Sequence, residues 1–266
     1  MCNLEKLKKY KYRLTTLSSL VLSPRECEGF YLAAQDFSTE DVEAHMRKIE
    51  DKDKIKIIYP FYQYGAYSCY KPEKTQYYLP GSSIKGAIKS RDNSGASRFM
   101  VDDLHVDAGK IHLYNLWKAQ YISPNDKNKQ QKQMKMECFF PNVAVEMLDA
   151  DQECIGEFLC DQDPRENLLI AQENTKIRLK QLADRIDQIL KIKPASDQQN
   201  NCAEVLDKVQ QNISKINYSE NEFILLLGGY KGLLLSGVFS DESIESAIYV
   251  DMEKQLPHGL VKIKLE

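Results

Sequence analysis

The chain has 266 residues, 42% of them hydrophobic and 28% charged, with a formal net charge of −3. This length holds one large core or two small ones, and the balance is that of an ordinary globular protein. No apolar run is long enough to cross a bilayer, and the slight acidity is unlike a freely acting nucleic-acid binder, which is usually basic.

The opening "MCNLEKLKKYKYR" has neither an apolar signal core nor a small-residue cleavage site, so a cytoplasmic location is expected. In the stretch Tyr10 to Leu22, Tyr10, Tyr12, Leu14 and Thr16 alternate with Lys11, Arg13 and Thr15. That is the period-two pattern of a half-buried strand, ended by Ser23-Pro24. Ser38 followed by Asp41 spells a capping box, and Val42, Met46 and Ile49 share one face of the short helix it predicts. "KIKIIYPFYQYG" and "TQYYLPG" read as strands. Pro80-Gly81 breaks the second, and Ser82 or Ser83 then caps a helix through Ile84, Ala87 and Ile88. "RFMVDDLHVD" and "KIHLYNLWKAQYI" read as extended segments, with "NDKNKQQKQ" as an exposed hairpin loop. "FFPNVAVEML" and "QECIGEFLC" read as a strand pair around a turn at Asp149–Asp151.

Beyond this point the period changes. Leu168, Thr175, Leu179, Leu182, Ile186 and Ile189 recur at helical spacing between 163 and 192. After the linker "KPASDQQNN", Cys202, Val205, Leu206, Val209, Ile213 and Ile216 mark a second amphipathic helix. The chain returns to β with "EFILLLGGYKGLLLSGVF" and closes with "LPHGLVKIKLE". The expected class is α+β in a single unit: a main core over 1–160, a helical insert over 163–217, and a β segment over 218–266 that rejoins the core.

The seven cysteines are scattered, without a C-x-x-C, and His45, His105, His112 and His258 lack metal spacing. No metal or cofactor is expected, and the thiols read as reduced, small hydrophobes. Charge is segregated. Lys6, Lys8, Lys9, Lys11 and Arg13 form one basic cluster, Lys85, Lys89, Arg91 and Arg98 a second, and Lys127, Lys129, Lys132 and Lys135 a third. From Glu146 to Glu166 only Arg165 opposes a run of carboxylates. Such segregation suits a subunit with one anionic partner and other, protein-facing surfaces.

"YLPGSSIKGAIKS" (78–90) has the G-x-x-x-x-G spacing of a nucleotide-binding loop. A P-loop needs Lys and Ser/Thr directly after the second glycine. Here Ala87 and Ile88 stand there, and Lys89-Ser90 arrive two residues late, about 200° around a helix. An ATP site is therefore not expected. Two glycines, two hydroxyls and Lys85 at a helix start still suit an anion, and they equally suit a tight strand-to-helix turn.

The same stretch resembles the "I-P-G-S-S-I/L-K-G-A-L/I-R" signature of the RAMP superfamily, the RNA-binding subunits of CRISPR effector complexes. Further segments are similar and come in the family's order: "YRLTTLSSLVLSP", "FMVDD", "LLLGGYKGLLLSGVF" and the terminal "LPHGLVKIKLE". The likeness covers residues 10–24, 77–105 and 223–266. It is greatest to the fifth Csm subunit of type III-A complexes, which caps the 3′-end side of the guide RNA. It implies a ferredoxin-like (RRM-like) core, with a degenerate second copy, and a structural, non-catalytic role in antiviral defence. The implied partners are guide RNA and other effector subunits of the superfamily, with no membrane.

By this resemblance Gly81, Ser82, Ser83, Lys85 and Gly86 are the leading phosphate contacts, followed by Gly228, Gly229, Lys231 and Gly232. Lys89, Arg91 and Arg98 are expected as outer contacts. Tyr77, Tyr78 and Tyr230 are aromatic candidates for base stacking. The alternatives are a metal-independent RAMP endoribonuclease acting through a histidine, or another backbone subunit of the complex. No histidine here stands in a recognisable Ser/Tyr/Lys constellation.

Overall fold

The computed structural model describes residues 7–24, 29–50, 52–65, 69–88, 99–122, 133–191, 196–236 and 247–266. In chain order the elements are β1 (Lys8–Thr16), β2 (Phe30–Tyr31), α1 (Thr39–Glu43), β3 (Met46–Arg47), β4 (Lys56–Tyr59), β5 (Tyr77–Leu79) and α2 (Gly81–Ile88). Then come β6 (Phe99–Val101), β7 (Leu104–Val106), β8 (Ile111–Tyr114), β9 (Trp117–Ile122), β10 (Gln133–Cys138), β11 (Val143–Leu148) and β12 (Glu153–Cys160). The remainder holds α3 (Arg165–Leu190), α4 (Asp197–Ser214), β13 (Glu222–Leu226), α5 (Gly232–Ser236), β14 (Ile248–Asp251), β15 (Leu256–Pro257) and β16 (Leu260–Leu265). The class is α+β, as expected.

The alternation read in the first strand is realised: Tyr12, Leu14 and Thr16 are buried. β1 lies at the centre of an antiparallel sheet ordered β13-β16-β1-β12-β6. Its inner face packs with α2 and the first turns of α3 around Tyr12, Phe158, Phe223, Ile84 and Leu168. Its outer face carries ion pairs, Lys9–Glu157 at 2.9 Å and Arg13 with both Glu153 (3.0 Å) and Glu266 (2.9 Å). The strand stops at Thr16 rather than Leu22. Beyond it Ser18 and Ser19 turn inward to bond Pro257 and Asp251, which a continued ladder would prevent.

β13 reads "EFILL" and is buried on both faces. Phe223 and Leu225 enter the core under α2, while Ile224 and Leu226 enter a second core. That second core joins the latter half of α3, α4 and the sheet β10-β9-β14-β15. Every residue of the predicted helical stripe, Leu168 through Ile189, is buried in α3. Cys202, Val205, Leu206, Val209 and Ile213 do the same in α4, whereas Ile216, expected in the same stripe, lies half-buried just past the helix end. A helix whose stripe is satisfied along its whole length draws its stability from packing more than from propensity.

Three further expectations are corrected. The strand pair around Asp149–Asp151 does not form: β11 joins a mixed sheet β2-β4-β11-β8-β3, and β12 joins the first sheet. β11 is buried along its length, so it needs cover on both faces, which a two-stranded hairpin cannot provide. The helix from Ser38 has its capping box but ends at Glu43, because Met46 and Arg47 pair in parallel with β8 instead. Residues 232–236, read as strand, form the short helix α5. The hairpin β9/β10 is present; of its "NDKNKQQKQ" loop, residues 125–132 lie outside the described residues and Gln133 already belongs to β10.

Candidate nucleic-acid interface

β5 leads through Pro80 directly into α2, so the glycine-serine stretch is helical from Gly81 rather than a loop. Gly81 lies against β6. A Cβ there would stand 2.1 Å from the Val101 carbonyl oxygen, and only glycine permits that approach. Its N–H donates to Asp103 Oδ1 at 2.7 Å. The positive end of α2 is thus already met by a carboxylate of the chain itself, as the helix dipole favours. The Ser82 and Ser83 side chains sit within the first turn instead of capping it. Ile84 and Ile88 point into the core, while Ser82 and Gly86 are exposed and Lys85 is half-buried. No described atom lies within 4 Å of a Cβ built on Gly86. Ser82 and Gly86, one turn apart, present an open surface, with Lys85 beside it. Lys89, Arg91 and Arg98 lie outside the described residues.

The second glycine segment follows β13. Gly228 adopts φ +78°, and a Cβ there would stand 2.4 Å from the Val21 carbonyl oxygen. Gly229 N–H donates to that same oxygen at 2.8 Å. Leu227 N–H donates to Gly259 at 2.7 Å, and Gly259 N–H to Ser19 at 3.0 Å. Residues 19–21, 227–229 and 257–259, far apart in sequence, therefore meet at one place. They come from three of the segments that carry the resemblance. α2, from a fourth, packs on β13 just upstream.

At this junction Lys231 is half-buried behind the glycine turn. Desolvation, followed by the nearby Arg178 guanidinium, pushes its ammonium down to about 8. Arg178 donates to the Leu235 carbonyl at 3.3 Å. No described carboxylate pairs with Lys231. Two cations held together in partly dry surroundings raise the local affinity for an anion. Gly232, at φ +78°, completes the turn: a Cβ there would stand 2.6 Å from the Ala247 carbonyl oxygen.

The aromatic candidates separate. Tyr77 is fully buried, and its hydroxyl, with that of Tyr70, donates to the buried Glu146 carboxylate, which also accepts Phe61 N–H at 2.7 Å. Burial pushes the Glu146 carboxyl up. Tyr77 is core and stacks on no base. Tyr230, at φ +50°, packs edge-on against Tyr59 (5.2 Å) and Tyr249 (5.8 Å). Tyr78 is half-buried and stacks on the exposed Tyr64 at 4.2 Å, a ring pair that sequence reading did not identify.

His105 is exposed, whereas His45, His112 and His258 are buried. Burial pushes the imidazoles of His45 and His258 down, toward the neutral form. Ser19 Oγ sits 2.9 Å from His258 Nδ1 and donates to Asp251 Oδ2 at 2.8 Å. The hydroxyl's proton is thereby committed to the carboxylate rather than to the imidazole, which is the wrong direction for an activated nucleophile. The buried cysteines Cys138, Cys160 and Cys202 are pushed up to about 11 by desolvation, as inert packing thiols are. No family model matches the chain, and no curated protein matches it.

Proposed function

We propose that this chain is a guide-RNA-binding structural subunit of a type III-A CRISPR interference complex, built on a RAMP-type ferredoxin-like core and capping the 3′-end side of the guide. Its partners are the guide RNA and neighbouring effector subunits, and it works in the cytoplasm; among the described residues no helix is long and apolar enough to cross a membrane. One observation supports this reading above the others. The glycine turn at 228–232 brings Lys231 and Arg178 together where segments 19–21 and 257–259 converge. A backbone without side chains lets a phosphate approach closely, and paired cations supply the charge. The exposed Ser82–Gly86 face and Lys85 extend the same kind of surface along α2. Single-stranded RNA held by its phosphates needs no duplex reading.

The test is co-expression with a repeat-spacer transcript and the remaining complex subunits, followed by measurement of guide content in the purified complex. Lys85 bonds to no described side chain, so Lys85→Glu leaves folding intact. It is expected to lower retained guide or bound subunit several-fold. Unchanged guide content and assembly would remove α2 from the interface, and failure of the wild type to assemble would defeat the reading as a whole.

A further inference from the structure

Beside the glycine-turn junction, whose segments 19–21 and 257–259 give it Ser19 and His258, a cavity of about 330 Å³ opens between β3, β8, β9, β14 and the β11–β12 connection. That is within the range of small-molecule sites. Four carboxylates line it, and three are used internally. Asp251 accepts from Ser19 N, Ser19 Oγ, Glu253 N and Lys254 N. Asp149 accepts from Tyr114 at 2.9 Å and pairs with His112 Nδ1 at 2.7 Å. Asp151 pairs with Lys254.

The charged groups left over are Arg47, Lys48 and Glu253, beside which the buried Nε2 of His258 also lacks a described partner. Arg47 is held rigidly: Nη1 donates to the carbonyls of Ala44 (3.0 Å) and Met46 (3.2 Å), and Nη2 to His112 Nε2 at 2.9 Å. Because the guanidinium donates to Nε2, His112 keeps its proton on Nδ1, facing Asp149. This relay fixes the guanidinium and leaves its Nε–H without a described partner. Lys48, next in the chain, has φ +49° and no described partner, and Asp151 has φ +60°. Non-glycine residues in that conformation are uncommon and collect at functional sites. Trp117 and Tyr114 supply aromatic wall, and the indole N–H is likewise unpaired among the described residues.

A fixed guanidinium beside a free ammonium suits a dianion. The aromatic wall suits a planar ring, and the unused Glu253 carboxylate suits hydroxyl donors. We propose that this cavity binds a nucleoside monophosphate group, with its phosphate at Arg47 and Lys48, its base against Trp117 and Tyr114, and its ribose hydroxyls at Glu253. The inference does not rest on the guide-RNA reading, since the group comes either from a free nucleotide or from the end of a strand.

Trp117 is the chain's single tryptophan, so its fluorescence reports on the site directly. Titration of the full chain with uridine 5′-monophosphate is expected to give a saturable change. Uridine and inorganic phosphate should each bind at least roughly tenfold more weakly, as should the nucleotide to Lys48→Ser or Arg47→Lys. Lys48→Ser removes an exposed side chain with no partner among the described residues, so it tests the site without threatening the fold. Displacement of the nucleotide by a short oligouridylate would identify a strand end as the source; failure to displace it would identify a free nucleotide. No saturable change up to millimolar nucleotide, equal affinity for inorganic phosphate, or unaltered binding by both variants would overturn the proposal. Guide retention lost in Lys85→Glu with this titration unchanged separates the two sites.

Discussion

Lys231 shows how much of a residue's chemistry depends on its surroundings. In the sequence it is one lysine in a glycine-rich stretch. In the fold it is desolvated beside Arg178, which brings its titration to about 8. A bound phosphate would raise that value, so binding takes up a proton above pH 8. RNA affinity at constant ionic strength is therefore expected to be flat below pH 7. Above pH 8 it should fall, approaching about tenfold per pH unit at the limit. Lys231→Arg, charged throughout this range, should flatten the profile. A wild-type affinity that does not change between pH 7 and 9 would take Lys231 out of the interface. The tyrosines carry the same lesson. Tyr77 and Tyr78 are neighbours on one strand, yet one is buried on Glu146 and the other forms half of a partly exposed stack, because strand side chains alternate.

Within α2 the two glycines serve different ends, though their spacing alone makes them look equivalent. Gly81 allows the helix to rest on Val101, and Gly86 faces open space. Gly81→Ala should destabilise the protein by about 1–3 kcal/mol through overpacking, despite alanine's better helix propensity. Gly86→Ala should stabilise it by roughly 0.5–1 kcal/mol for the same propensity reason, with no described atom to clash against. Denaturant unfolding of the two variants checks both signs. Equal effects would mean that Gly81 does not pack as described. The capping box at Ser38 was legible because it is local, with both of its hydrogen bonds formed. The end of α1 was not, because pairing of Met46 and Arg47 with β8 depends on a strand more than sixty residues away.

Across the molecule, Asp251 ties the cavity floor to the turn after β1, and its burial is offset by His258 and the donors of Ser19 and Lys254. Burial alone would raise its carboxyl, but these partners hold it below the ordinary value. A depressed carboxylate adds stability that is present above its unfolded pKa and lost as pH falls through the folded one. Asp251→Ala should therefore cost about 2–4 kcal/mol near neutrality, since four donors lose their acceptor. The deficit relative to wild type should shrink in acid. A deficit that stays constant from pH 7 down to pH 2 would contradict this account.

Periodicity and capping are properties of neighbouring residues. The stripes of α3 and α4, the alternation of β1 and the α+β class were accordingly determined by the amino-acid sequence alone. Partner choice is not local. Whether β11 pairs with β12 or with β8 depends on which arrangement buries both faces of β11, and only the assembled sheets decide it. For the same reason, the meeting of residues 19–21, 227–229 and 257–259, the carboxylate of Asp103 at the start of α2, and the Arg47 cavity follow from contacts between distant segments. These contacts form only when the separate sheets that carry those segments pack together.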